Sequence, residues 1–275
     1  MNFTDAAAPR FEGRYAARPP DVTPAEIRVV TFNIKYAREI DRAIEVLRDS
    51  DSLRGADIIT LQEMDDAGTE RIARALRMNY AYLPSTIHAV TDTFFGPAVL
   101  TRWRIDSAWR VPFPHASVFR RQRRSATAVR IRIGRERLRV YSVHLETQGS
   151  ISAEERVEQA DAVLKDAAAA RDRIIVAGDL NSYGIGQYFM DKGFLWLTQS
   201  FGETFMLWGW DHLLARGFSR DQVRSVGVER NARGASDHRP VWAVLGLEPS
   251  ASSESHPRFS QTIAERHSRP ASVTR

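Results

Sequence analysis

The chain has 275 residues, of which 43% are hydrophobic and 27% charged, which is enough for one substantial core and excludes fibrous and wholly disordered proteins. It contains no cysteine, which excludes disulfide frameworks, thiolate zinc sites, iron–sulfur clusters and cysteine nucleophiles. The formal net charge is +5, but residues 120–139 hold nine arginines and a single acid, Glu136, so the rest of the chain is net acidic. This distribution favours a polyanion partner at one place on the surface.

The two ends of the chain differ in composition from the part between them. Residues 1–25 are rich in Ala, Pro and Arg without periodicity, which predicts a flexible N-terminal arm. Residues 249–275 contain few apolar side chains and predict a disordered basic tail. We expect one domain over 26–248. Because no apolar run reaches the roughly 20 residues of a transmembrane helix and the start lacks an apolar signal region, we expect a soluble, cytoplasmic protein without stable membrane insertion.

Short apolar runs alternate with helical spacing along 26–248. The predicted helices are 40–53, 70–78 and 152–171. The predicted strands are 27–32, 57–61, 98–101, 126–133, 138–145, 174–177, 226–229 and 241–245. Val129 and Ile131 alternate with Arg130 and Arg132 in a predicted hairpin, so one of its faces is apolar and the other is basic. The mixture of hairpins, crossover strands and helices predicts an α/β sandwich.

Polar side chains lie at the ends of several of these strands, where side chains project from a sheet into a cleft. They are Asn33, Glu63, His144, Asp179, Asn181, Asp237 and His238. A turn or a helix cap would explain any one of them. The repetition of amide, carboxylate and imidazole groups at so many strand ends instead indicates a site that binds a hard cation and moves protons.

Seven short motifs follow one another in a recognisable order. They are TFN (31–33), LQE (61–63), GPAVLTR (96–102), VHLE (143–146), GDLN (178–181), WDHLLARG (210–217) and SDHRP (236–240). Over about 27–246 the chain thereby resembles the endonuclease/exonuclease/phosphatase superfamily, which includes deoxyribonucleases and sphingomyelinases. The resemblance implies a four-layer α/β sandwich, with two packed mixed β-sheets flanked by helices. It also implies hydrolysis of phosphate esters with a divalent cation, usually Mg²⁺, with Mn²⁺ as the alternative.

Three residues are candidate metal ligands. Glu63 offers carboxylate oxygens, the hard ligands that Mg²⁺ prefers, and one or two protein carboxylates are enough because this ion keeps several waters. Asn33 would either complete the shell of ligands or fix Glu63. Asp237 adjoins His238 and would point the other way in an extended segment, so it is assigned to the metal shell.

Five further residues are candidate catalytic groups. Asp179 is positioned to orient and deprotonate the attacking water, and Asn181 to donate its amide to a phosphoryl oxygen. The resemblance implies that His238 is a charged imidazole that contacts the scissile phosphate and is oriented by Asp211. His144 would be a second imidazole that stabilises the transition state or protonates the leaving oxygen. The alternative for His144 is a hydrogen-bonded histidine of the core.

Three functions fit these residues, and the first is a metal-dependent nuclease or phosphodiesterase acting on nucleic acid. In this function Arg120, Arg121, Arg123 and Arg124 would contact the phosphate backbone. The equal alternative is that these arginines form an ordinary solvated surface. The second function is hydrolysis of a phospholipid head group or a small phosphate ester. A membrane substrate would be accompanied by an apolar anchoring loop, for which the chain offers Phe94–Phe95 and 208–210.

The third function is that of a non-catalytic binding protein on the same fold. It ranks last because every candidate catalytic residue is present. His212, within WDHLLARG, is assigned no chemistry, and the remaining histidines have no motif around them and are predicted to lie on the surface: His88, His115, His256 and His267.

Overall fold

The computed structural model describes residues 1–5, 7–17 and 22–248, and the expected C-terminal tail, 249–275, lies outside the described residues. The helices are α1 (Ile40–Asp49), α2 (Asp66–Leu76), α3 (Ala153–Ala168) and α4 (Tyr183–Asp191). The strands are β1 (Phe11–Gly13), β2 (Glu26–Asn33), β3 (Ile58–Met64), β4 (Asn79–Tyr82), β5 (Thr86–Ile87), β6 (Phe94–Thr101), β7 (Arg104–Pro112), β8 (Ser125–Ile133), β9 (Glu136–His144), β10 (Arg173–Asp179), β11 (Leu195–Trp196), β12 (Asp211–Arg216), β13 (Val223–Val228) and β14 (Val241–Gly246).

The strands form two mixed sheets. The first has eight strands in the order β1-β4-β6-β3-β2-β14-β13, with β5 paired to β6, and the second has six in the order β11-β12-β10-β9-β8-β7. The pairs β2–β3 and β9–β10 are parallel, and the other pairs are antiparallel. Since parallel strands end at the same edge of a sheet, each sheet brings two carboxyl ends together.

The central core lies between the two sheets. Val29 and Val99 of the first sheet pack in one cluster with Val129, Val140 and Ile175 of the second, and all five are fully buried. Burial of each such side chain stabilises the fold by roughly 1.5–3 kcal/mol. Successive side chains of a strand point to opposite faces of the sheet, so the alternating apolar side chains of these strands face the other sheet.

Helices cover the outer faces of both sheets. Leu47 of α1 and Ile72 of α2 pack on the first sheet. Val163 of α3 and Phe189 of α4 pack on the second. The resulting order of layers is helices, sheet, sheet, helices, which confirms the four-layer α/β sandwich.

The N-terminal residues correct the expectation of a flexible arm over 1–25. β1 pairs with β4 at the edge of the first sheet, and the Phe11 ring packs 5.9 Å from that of Tyr82. Phe3 is buried, and its backbone N–H donates to Ser85 O at 2.8 Å. These isolated aromatic anchors produce no periodic pattern, so the sequence alone did not reveal them.

Several boundaries differ from those predicted. α2 begins earlier than residue 70 because the Asp65 side chain caps it, accepting from Gly68 N–H at 2.7 Å. Of the elements that the structure describes, six strands and the helix α4 were not predicted, and β7 and β12 are the longest of these strands. β7 is an edge strand with mostly half-exposed side chains, and β12 is buried on both faces, so neither shows a clean alternation. Within the described residues, no helix combines the length and the apolar character needed to cross a bilayer.

Candidate active site

The ends of the two parallel strand pairs meet at one edge of the sandwich and carry four of the candidate residues. β2 ends at Asn33, β3 carries Glu63 one residue before its end, β9 ends at His144 and β10 ends at Asp179. The Asn33 Nδ2 group donates to Glu63 Oε1 at 3.3 Å and to Asp179 Oδ2 at 3.1 Å. Because Asp179 belongs to the other sheet, this amide connects the two sheets at the site. One of the two roles predicted for Asn33, fixing Glu63, requires such a contact.

Glu63 lies at an irregularity of β3. Its φ is 58°, and the pairing of β3 with β6 shifts register between Leu61 and Met64. Tyr36 also has a left-handed backbone, with φ of 58°, and its N–H donates to Glu63 Oε2 at 3.1 Å. Burial raises the pKa of Glu63. Left-handed backbone is unfavourable at residues other than glycine. Here it places the Tyr36 N–H against the buried carboxylate of Glu63.

His238 and Asp211 form the shortest polar contact between side chains of the site. Asp211 Oδ2 lies 2.8 Å from His238 Nδ1, and His238 Nε2 lies 3.7 Å from Asp179 Oδ2. Burial lowers the pKa of His238, but the carboxylates of Asp211 and Asp179 outweigh that effect and raise it to about 10. His238 is therefore a fixed, charged imidazole at neutral pH.

His144 is in the opposite electrostatic state. It is 2% exposed, and its Nε2 lies 3.5 Å from Asp179 Oδ2 and 3.9 Å from Glu63 Oε1. Burial lowers its pKa well below the usual value, and the positive charges of Arg124 and His238 lower it further. His144 therefore lies in the site as an uncharged imidazole.

Asp179 and Asn181 are held together by the loop that follows β10. The N–H of Asn181 donates to Asp179 Oδ1 at 2.9 Å, and one N–H of its side chain donates to Leu145 O at 2.9 Å. Gly178 precedes them with φ of 153°, and a Cβ there would lie 1.8 Å from Val143 O, so only glycine fits. Burial raises the pKa of Asp179 to about 7, and His238 opposes this rise.

Asp237, the third predicted metal ligand, pairs with Lys35 in the structure. Its Oδ2 lies 2.8 Å from Lys35 Nζ, and both side chains are partly exposed. Neighbouring His238 contacts Asp211, whereas the contact of Asp237 is with Lys35 and not with Glu63. Across residues 1–5, 7–17 and 22–248, no group of three or more His, Asp or Glu side chains is arranged to hold a metal ion.

A cleft of about 340 Å³ opens from Glu63 along the loop between β7 and β8. Arg124 lines it, with Nη1 donating to Leu145 O at 2.6 Å and Nη2 lying 3.4 Å from Glu146 Oε1. Because Leu145 O accepts from both Arg124 and Asn181, this arginine supports the loop next to the site. Its positive charge also lowers the pKa of His144.

Sequence reasoning missed the aromatic wall of this cleft. His88, expected on the surface, is buried, with its ring centroid 4.9 Å from those of both Tyr36 and Phe95. The Phe95 ring in turn lies 6.1 Å from His144. The glycine-containing GPAVLTR motif directly after Phe95 was a signal for this strand, but nothing in the sequence around His88 indicated a buried position.

Comparison with known proteins decides which family this arrangement represents. A sequence profile described as the Endonuclease/Exonuclease/phosphatase family matches residues 30–238. The chain belongs to this family. Its members are metal-dependent phosphoesterases, including nucleases, phosphodiesterases and sphingomyelinases. A search of curated protein sequences gives no match.

Solved structures share the fold of this family member. An endonuclease/exonuclease/phosphatase from Beutenbergia cavernae has a TM-score of 0.65 at 21% identity, covering 82% of this chain and 72% of that one. D. rerio TDP2, complexed with single-strand DNA product, has a TM-score of 0.61 at 16% identity, covering 80% and 99%. Sphingomyelinase C from Streptomyces griseocarneus has a TM-score of 0.57 at 17% identity, covering 82% and 100%.

Proposed function

We propose that this chain is a phosphodiesterase that hydrolyses nucleic acid with a bound divalent cation, Mg²⁺ in the first instance and Mn²⁺ as the alternative. The observation that carries the proposal is the 2.8 Å contact between Asp211 and His238. It holds a charged imidazole next to the buried carboxylate of Asp179. A cation fixed beside a general base is the pairing that hydrolysis of a phosphate ester requires.

Each side chain of the site has a role in adding water across the P–O bond. Asp179 accepts the proton of the attacking water, for which a pKa of about 7 is well suited near neutral pH. His238 binds the scissile phosphate through its Nε2 proton. Asn181 has one uncommitted N–H for a phosphoryl oxygen. The lowered pKa of His144 favours the first of its predicted roles, stabilising the transition state as a neutral donor.

The donors at the site fit a hard divalent cation. Glu63 accepts from the neutral Asn33 and Tyr36 groups and lies near the uncharged His144, so its buried charge has no direct cationic partner within the described residues. Such a carboxylate is a favourable ligand for Mg²⁺, which needs only one or two. Glu63 would hold the ion and Asn33 would fix Glu63. When bound, the ion would stabilise the charge that develops on the phosphate. The assignment of Asp237 to the metal shell stays a prediction.

The cleft supports a nucleic-acid substrate. Arg120, Arg124 and the exposed Phe119 line it, and arginines next to an exposed aromatic ring suit a strand whose phosphates and bases bind in turn. Arg121 and Arg123 lie in the same loop. The TDP2 structure with single-strand DNA product shows that this fold accommodates such a strand in another protein.

A second candidate function is hydrolysis of a phospholipid head group. Its support is an exposed apolar turn, with Met206 68%, Leu207 78% and Trp208 56% exposed. The turn adjoins the site, because the Phe205 ring lies 4.5 Å from that of His238. This is the anchoring loop that a membrane-bound substrate requires.

A substrate panel tests the proposed function. The purified chain is incubated with Mg²⁺ or EDTA and with single-stranded DNA, plasmid DNA, RNA, bis-p-nitrophenyl phosphate or sphingomyelin vesicles. We expect Mg²⁺-dependent hydrolysis of nucleic acid that Asp179→Asn abolishes and Asp191→Asn, an exposed change at the end of α4, leaves intact. Hydrolysis of sphingomyelin alone would select the second candidate, and hydrolysis of no phosphodiester would contradict both.

A further inference from the structure

Seven of the nine arginines of residues 120–139 form two groups with different partners. All four arginines of β8 and β9 lie 3.2 to 3.6 Å from a carboxylate: Arg130, Arg132, Arg137 and Arg139. In the loop between β7 and β8, by contrast, three arginines have no carboxylate within ion-pair distance among the described residues: Arg120, Arg121 and Arg123. The positive charge left without a counter-ion is therefore concentrated in the loop that lines the cleft.

Arg120 is held at the wall of this cleft by an uncharged partner. Its Nη1 lies 3.2 Å from His88 Nε2, and His88 Nδ1 lies 3.2 Å from Thr91 Oγ1. Because an arginine N–H can only donate, this contact requires the lone pair on Nε2 and the ring proton on Nδ1, which faces Thr91 Oγ1. Burial lowers the pKa of His88, and Arg120 lowers it further, so the ring stays neutral. Arg120 thus keeps its whole charge and most of its N–H donors.

The carboxylates that line the cleft are already engaged. Glu146 accepts from Thr147 N–H at 3.0 Å and pairs with Arg124, while Glu63 accepts from two N–H groups at the site. Neither carboxylate pairs with Arg120. The hydroxyl groups of Ser117 and Ser150 also line the cleft, whereas that of Thr86 donates to Met1 O at 2.6 Å. Arg120 is therefore a preoriented cation whose natural counter-ion would come from a ligand.

We propose that Arg120 binds a second phosphate of the substrate, next to the phosphate that is hydrolysed. The inference rests on the proposed function, because the same cleft contains Glu63. A cleft of about 340 Å³ has room for a phosphate-bearing group beside the scissile one. The forked guanidinium matches two phosphate oxygens at once. The second phosphate is either the next one along a strand or a second one on a small ester, and the chemistry that Arg120 recognises is the same.

Two pairs of substrates separate these sources. The strand pair is the dinucleotide TpT, with one phosphate, and the trinucleotide TpTpT, with two. The small-ester pair is thymidine 5′-(p-nitrophenyl phosphate), with one phosphate, and the same compound with a second phosphate on its 3′ oxygen. We expect Arg120→Gln to lower kcat/KM by about 10- to 100-fold for a two-phosphate substrate, as for the loss of a charge-assisted contact. For the matching one-phosphate substrate we expect no change.

Arg135→Gln is the matched control. Arg135 is exposed in the turn between β8 and β9, so this substitution makes the same change in net charge away from the cleft. It should leave all four rates unchanged. Arg120→Lys, which keeps the charge but not the fork, should lose less than Arg120→Gln. An effect on the strand pair alone identifies a strand phosphate, and an effect on the small pair identifies a small ester. Equal losses on all four substrates, or no loss on any, would overturn the proposal.

A binding measurement keeps the proposal separate from the proposed function. Calorimetry compares thymidine 3′,5′-bisphosphate with thymidine 5′-monophosphate as ligands of the wild-type chain and of Arg120→Gln. If Arg120 binds the second phosphate, Arg120→Gln should raise the Kd of the bisphosphate about tenfold or more and leave the Kd of the monophosphate unchanged. If the wild type hydrolysed nothing, the proposed function would fail while this comparison still decided the subsite. Equal affinities in both proteins would reject it.

Discussion

The two histidines of the site, His144 and His238, differ in charge state, since one ring is neutral and the other is a cation. Both are buried, and both lie within 4 Å of the Asp179 carboxylate. His238 has a second carboxylate, Asp211, at 2.8 Å, and its pKa rises to about 10. Burial lowers the pKa of His144 well below the usual value, and the positive charges of Arg124 and His238 lower it further. Burial lowers the pKa of both rings, and at His238 the carboxylates of Asp211 and Asp179 outweigh that effect.

This contrast assigns different work to the two rings. A permanently charged imidazole binds a phosphate in both the ground state and the transition state, whereas a neutral one offers a single N–H and a single lone pair. Environments that push two similar groups apart in pKa distinguish their roles at an active site. The same substitution at each histidine should therefore have unequal effects.

The largest effect is expected for His238→Gln, which keeps a donor but removes the charge. We expect a fall in kcat of about 10³-fold, because the group that stabilises the phosphate is lost. The measurement is the hydrolysis of bis-p-nitrophenyl phosphate at equal folded fraction by circular dichroism. A variant within tenfold of the wild type would remove His238 from the mechanism.

A smaller loss is expected for Asp211→Asn, which leaves His238 in place but takes away the carboxylate that keeps it charged. We expect a fall of about 10²-fold at neutral pH. In the wild type, activity that needs the His238 cation is lost as pH rises through about 10. In Asp211→Asn this alkaline limb should move to lower pH. An unshifted pH–rate profile would show that Asp211 does not set the charge of His238.

His144→Gln should be the mildest of the three changes. Glutamine also presents a neutral N–H, so we expect a loss of about tenfold or less, the size of one hydrogen bond. The comparison with His238→Gln uses the same assay and the same substitution. If the two variants lost activity equally, the assignment of a neutral donor to His144 would be wrong.

Titration of the metal-free protein tests the contrast without any catalysis. Ring C–H signals followed by NMR in EDTA, and assigned with the two glutamine variants, should show His238 protonated until pH approaches about 10. His144 should remain neutral until pH falls well below 6.5. Coincident titration of the two rings would contradict the roles of Asp211 and Arg124.

Much of this site follows from the sequence because its residues lie at strand ends within short motifs. Asn33, Glu63, His144 and Asp179 come together as predicted, since parallel strands within each sheet end at the same edge. The motif order also predicted the contact between Asp211 and His238, 27 residues apart. Strand direction is enough for the first prediction, whereas the second came from the resemblance that the motif order carries.

The remainder depends on long-range contacts that no local pattern records. Asp237 pairs with Lys35 across the chain, a choice between exposed partners that sequence spacing does not determine. The neutral state of His144 depends on its burial and on Arg124, which approaches from another strand. The nine arginines of 120–139 look alike in sequence, and the positions of Asp106, Glu146, Asp166 and Asp172 separate the paired arginines from the unpaired ones.

The central claim is that this edge of the sandwich is a metal-dependent phosphodiesterase site in which Glu63 holds the cation. Its most direct test is the initial rate of bis-p-nitrophenyl phosphate hydrolysis as a function of Mg²⁺ concentration, for the wild type and for Glu63→Gln. We expect a saturable rate in the wild type that EDTA removes and added Mg²⁺ restores, with Glu63→Gln slower and requiring more Mg²⁺. A wild-type rate that EDTA leaves unchanged, or the same Mg²⁺ dependence in both proteins, would contradict the claim.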